Sequence, residues 1–189
     1  MGNKIKYGLK NAHYAVITIT DNVVAYGTPV RVPGAVSMSL TPVGETTPFY
    51  ADDVEYFTAI ANNGYDGTLE LALLPDGFRK DVLGEFEDAK KVLFEDSSAT
   101  LKAFALLFEF TGDTSGIKHV LYNCKATRPN LESTTKGQSI EAKTETLNLT
   151  VRPAIDTGLV KAKSTDEVAE EDITAWYTAV YLENESTGV

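Results

Sequence analysis

Tyr50, Ala51, Asp52 and Asp53 form a Tyr-x-Asp-Asp string. In template-copying polymerases adjacent aspartates of this kind, joined by a further carboxylate, hold the divalent cations that drive phosphoryl transfer. That chemistry needs a palm and fingers to bind template and nucleotide, which a chain of 189 residues does not provide. The string also follows TPVGETTPFY, whose Pro, Thr and Gly content is that of a loop. Other reactive types are sparse. His13 and His119 are the two histidines, both in strand-like stretches, and no Ser or Cys triad can be drawn through them. Cys124 alternates with Val120 and Tyr122, as a buried, inert thiol would. There is no GxxxxGK[ST] or GxGxxG phosphate loop, and the acidic run DEVAEED at 166 to 172 suits a solvated turn entering a helix. No catalytic, cofactor-binding or metal-binding residue is expected.

Composition narrows the partners. Seventeen Lys and Arg against 27 Asp and Glu leave a formal charge of −10, the wrong sign for gripping phosphates. One cysteine allows neither an internal disulfide nor a Cys-based zinc site. No stretch has the roughly 18 apolar residues of a membrane span, and MGNKIKYGLK lacks the apolar run of a signal peptide. The expectation is a protein made in cytoplasm, without membrane partners. The sequons at Asn148 and Asn184 then have no glycosylating context.

The elements that must position these residues are mostly strands, because period-two alternation recurs along the chain. HYAVITIT (13 to 20), VSMSL (36 to 40), KHVLYNCKAT (118 to 127) and TETLNLTVR (144 to 152) all alternate. SIEAKT before the last of these carries its apolar residues in the opposite phase, which predicts a bulge or crossing strand. EYFTAIANNGYDGTLELALL (55 to 74) predicts a hairpin turning at Asn63-Gly64. LKAFALLFEF (101 to 110) is apolar on both faces and so should be buried twice, by a core and by something else. PDGFRKDVLG (75 to 84) has the Pro start and Gly end of a short helix. Ala169, Ile173, Trp176, Tyr177 and Val180 share one helical face, favouring a short helix at about 169 to 181, although ITAWYTAVYL also suits a strand. Nothing divides the chain, so a single mainly β domain of sandwich type with a flanking helix is expected over residues 1 to 189.

Eight segments in order, GLKNAHYA (8 to 15), PFYADD (48 to 53), GYDGTLELALLPDGFRKDVLG (64 to 84), FALLFEFTGD (104 to 113), HVLYNCKATRP (119 to 129), TETLNLTVRP (144 to 153), VKAKS (160 to 164) and AWYTAVYL (175 to 182), together resemble the major tail tube protein of long-tailed, non-contractile bacteriophages, the phi13 type. The resemblance implies a tail-tube type β-sandwich or barrel with a flanking short helix and extended loops or arms. It further implies a virion protein assembled in the bacterial cytoplasm into stacked hexameric rings, through which double-stranded DNA passes without tight binding. Tape measure and tail-end proteins would be its other partners. It implies no catalysis.

On this reading residues 42 to 54 form a long loop reaching a neighbouring subunit, with Phe49 and Tyr50 as contact area and Asp52 and Asp53 as polar rim or as partners of basic side chains opposite. A purely solvent-exposed loop is the plainer possibility. A lumen sharing the chain's negative sign would let DNA slide. The alternative function is a cytoplasmic carbohydrate- or peptide-binding sandwich using Tyr50, Tyr56 and Tyr65 as an aromatic platform.

Overall fold

The computed structural model describes residues 7 to 21, 23 to 112, 116 to 133, 135 and 143 to 183. Among the described residues, thirteen strands and two helices follow one another as β1 (Leu9–Thr20), β2 (Val23–Tyr26), β3 (Val30–Arg31), β4 (Ala35–Pro42), β5 (Thr46–Ala51), β6 (Val54–Ile60), β7 (Tyr65–Leu71), α1 (Asp76–Asp81), β8 (Phe86–Glu87), β9 (Leu93–Phe94), β10 (Phe104–Phe110), β11 (Lys118–Ala126), β12 (Glu145–Val151), β13 (Lys161–Lys163) and α2 (Glu170–Ala175). The fold is mainly β, as the alternation predicts. Nine strands form one antiparallel sheet in the order β2-β1-β10-β11-β12-β7-β4, with β3 added to β1 and β13 to β11. The phase switch expected at SIEAKT falls largely outside the described residues.

The sheet folds over on itself as a sandwich does. Tyr14 of β1, Leu69 and Leu71 of β7, Phe104 and Leu106 of β10, and Leu147 and Leu149 of β12 belong to one buried core. Segment 32 to 34 ties its two ends, since the Val32 amide donates to the Ala12 carbonyl at 2.7 Å and the Ala72 amide to the Gly34 carbonyl at 2.8 Å. Helix α1 caps the core with Phe78, edge-on to both Tyr14 and Phe104. Pro75 enters that helix in extended conformation, and Gly84, with φ +76°, follows its end. Arg79 and Glu145 fasten it to β12 at 2.6 Å, and the Tyr14 hydroxyl donates to Asp81 at 2.7 Å. Burial, reinforced by that carboxylate, pushes the Tyr14 phenol far up.

Strand β10 is buried on both faces, but no second subunit is needed. Phe104, Leu106 and Phe108 face the main core, whereas Ala105 and Leu107 face a second cluster with Val120, Tyr122, Trp176 and Val180. The covering layer is the chain's own C-terminal segment. Trp176 donates its Nε1–H to the His119 carbonyl at 3.5 Å, and Tyr122 donates to the Tyr181 carbonyl at 2.9 Å. The expected helix at 169 to 181 is shorter, ending at Ala175 before a series of turns. Glu170, Glu171 and Asp172 occupy its first turn, where the helix dipole favours negative charge.

Two strand phases differ from simple alternation. On β11, Val120 and Tyr122 face the second cluster, but Cys124 and Ala126 face the main core. A register shift against β10 between the Leu106–Leu121 and Phe104–Cys124 pairs reverses the faces. On β4 another shift between Ala35 and Ser37 leaves Val36 exposed, so Ala35, Met38 and Leu40 pack on the core instead.

Candidate functional site

The largest correction concerns residues 42 to 74. No hairpin turns at Asn63-Gly64. A tight two-residue turn of type I′ needs positive φ at both central positions, and only Gly64, at +99°, has one. Gly64 serves another purpose, because a Cβ there would lie 2.0 Å from the Val151 carbonyl oxygen. The reversal occurs instead at Asp52-Asp53, whose φ values of +52° and +60° match a type I′ turn. Asp tolerates this left-handed conformation better than most residues.

The stretch expected as a loop is therefore a β-hairpin, β5 against β6, from Thr46–Ile60 at its base to Ala51–Val54 at its tip. It continues the β4–β7 ladder outward. The Val43 amide donates to the Gly64 carbonyl at 2.9 Å, Asn63 to Val43 at 2.8 Å and Ala61 to Glu45 at 3.0 Å, so hydrogen bonds bridge the waist between ladder and hairpin. The backbones are close here: a Cβ on Gly44 would meet the Ala61 carbonyl at 1.9 Å. The result is a two-stranded arm rooted in the sheet.

All four residues proposed from sequence, Phe49, Tyr50, Asp52 and Asp53, lie on the outer half of this arm. Phe49 and Phe57 are directly opposite in the ladder, and a register shift follows between Phe49 and Tyr50. Phe49, Tyr50, Tyr56 and Phe57 are between 60% and 77% exposed, and Ile60 is 80% exposed. Tyr56, Phe57 and Ile60 were not among the expected contact residues. The strand-forming, aromatic and β-branched composition of VEYFTAI is their signal, and its partner strand lies at 46 to 51 instead of at 65 to 74.

The chemistry-bearing residues do not converge. Among the described residues no three His, Cys, Asp or Glu side chains gather as a metal site. His13 stacks on Tyr177 at 4.4 Å, and burial lowers its pKa from 6.5. His119 instead stacks on Phe108 at 5.1 Å. Cys124 is fully buried, and burial pushes its thiol pKa up. Glu109, 3% exposed, sits between Lys118 and Asn11, with Lys10 at 3.8 Å. These are paired sheet residues. Tyr50 and Tyr56 are on the arm while Tyr65 is at its root, opposite Pro42, so the three tyrosines do not form one platform.

Sequence reasoning also missed a groove of about 410 Å³ at the root of the arm. Met38, Leu40, Tyr65, Phe108, Phe110 and Lys161 line it. Lys161 Nζ lies 4.9 Å from the centre of the Tyr65 ring, a cation–π contact. Four separate strands contribute these residues, so no local sequence signal marks the groove. Among the described residues no helix is long and apolar enough to cross a membrane.

No family model matches the chain, and no curated protein matches it. Among solved structures it is similar to a chain of the anti-feeding prophage cap (AFP tube terminating cap), with 13% identity, a TM-score of 0.45, and coverage of 85% of this chain and 93% of that one. A likeness at this level identifies neither a family nor an activity.

Proposed function

We propose that this protein is a non-catalytic structural subunit of a phage-type tail tube, which self-assembles into stacked rings, and that the arm carrying Phe49, Tyr50, Asp52 and Asp53 is one of its contacts between subunits. The arm is the observation that carries the proposal. An isolated two-stranded hairpin is marginal in water, yet this one displays four aromatic side chains without covering them. Exposed apolar groups concentrated in this way mark an association surface. The sequence resemblance points to the same use, with hexameric rings, tape measure and tail-end proteins as partners, and the virion tail as its location.

Electron microscopy and sedimentation of the purified protein at high concentration test this directly. Rings or tubes are the expected result, and they should disappear when residues 46 to 60 are replaced by a tight turn that leaves the melting temperature unchanged. A protein that stays monomeric at all concentrations, or a shortened variant that still forms tubes, would overturn the reading. The charge of −10 per chain adds an expectation: tubes should release duplex DNA even at low salt, where phosphate binding is strongest.

A further inference from the structure

We infer that the groove at the root of the arm is the seat for the arm tip of a second copy. This rests on the assembly proposed above and names the receiving surface, which that proposal leaves open. Two observations carry it.

The first is complementarity. The tip combines exposed Phe49, Tyr50 and Phe57 with the acids Asp52, Asp53 and Glu55. The groove combines Met38, Leu40, Phe108 and Phe110 with Lys161, and Lys163 follows two residues further along the same short strand, on the same face by alternation. No ion pair among the described residues involves Lys161 or Lys163. Ser39 and His119 also line the groove, so its wall is mixed; in a chain with ten more acidic than basic residues, Lys161 in that wall and Lys163 beside it give it a basic rim. Aromatic residues would fill the groove, and the acids at the turn would reach the lysines at its rim.

The second is reach. Met38 and Tyr50 are twelve positions apart along successive strands, and at about 3.3 Å per residue they are separated by roughly 40 Å of extended chain. The hydrogen bonds across the waist keep the arm directed away from the body. Its tip cannot return to its own groove, so a tip seated there comes from another molecule.

Charge reversal tests the pairing. Lys161→Glu with Lys163→Glu should reduce the fraction of protein in tubes by at least about tenfold, because like charges would then face the incoming tip. Asp52→Lys with Asp53→Lys should do the same, and mixing the two variants, or combining all four changes, should restore assembly. A second measurement uses single cysteines, Met38→Cys in one preparation and Tyr50→Cys in another, with the native Cys124 buried. Under mild oxidation the mixture should form disulfide dimers that neither preparation forms alone. If the wild type assembles and arm shortening abolishes assembly, but lysine reversal has no effect or the mixture does not cross-link, the groove is not the seat and the tube reading stands. If the wild type does not assemble at all, both fall.

Discussion

Strand β10 and the β5–β6 hairpin are both rich in aromatic and aliphatic side chains, and they meet opposite fates. Every residue from Phe104 to Glu109 is buried, one face against the sandwich core and the other against the C-terminal segment. In the hairpin only Ala51 and Thr58 are even partly buried. The same kind of residue therefore contributes to folding in one place and to association in the other. Burial in the free chain at about 25 cal/mol per Å² stabilises the monomer, whereas apolar area left in water can contribute only when a partner covers it.

Truncations that strike these regions should separate folding from assembly. Trp176→Ala should have the largest effect on the monomer, about 3–5 kcal/mol, because Trp176 is 2% exposed and covers the outer face of β10. Chemical denaturation measures this, and a loss below about 1 kcal/mol would mean that the C-terminal segment is not part of the folded core. Phe49→Ser with Phe57→Ser should change monomer stability by no more than about 0.5 kcal/mol, as surface substitutions do. Tube formation should nevertheless be lost, since anchors of this kind typically cost about 2 kcal/mol or more each at an interface. A large fall in the melting temperature of this double variant would break the contrast with β10.

The turn offers a smaller and opposite effect. Asp52→Asn with Asp53→Gly supplies the residue pair that best tolerates two positive φ values, so the arm should become more stable by up to about 1 kcal/mol. Amide hydrogen exchange in residues 46 to 60 should slow. Faster exchange would show that the turn is not type I′ in solution.

The smallest effect concerns His13, which is held against Tyr177 below the C-terminal segment. Burial lowers its folded pKa from 6.5, partly offset by its hydrogen bond to the Asn11 carbonyl, while nearby Arg31 lowers it and Glu109 raises it. Below about pH 6.5 the unfolded chain takes up a proton that the folded chain resists, so stability is complete above that value and declines on acidification toward the lower folded pKa. His13→Phe should flatten the slope of melting temperature between about pH 7 and pH 5.5, whereas an unchanged slope would assign the acid sensitivity to other groups.

Local pattern was enough for the mainly β class, for helix α1 between its Pro and Gly signals, and for the double burial of β10, because each rests on interactions between near neighbours or on face alternation. It placed Phe49, Tyr50, Asp52 and Asp53 together on one exposed feature. It did not distinguish loop from hairpin there, since Pro, Thr and Gly make TPVGETTPFY look irregular while a partner strand at 54 to 60 supplies the missing hydrogen bonds. Nor could Asn63-Gly64 reveal that it does not turn, because whether Gly64 bends the chain or lets it pass Val151 depends on a strand 87 residues away. The two bulges that reverse Cys124 and expose Val36 are likewise settled by register against neighbouring strands. The apolar residues on both faces of β10 establish that each face needs cover. Which surface covers them, and that five strands leave a lysine-rimmed groove beside an acidic arm, follows only when distant segments pack together.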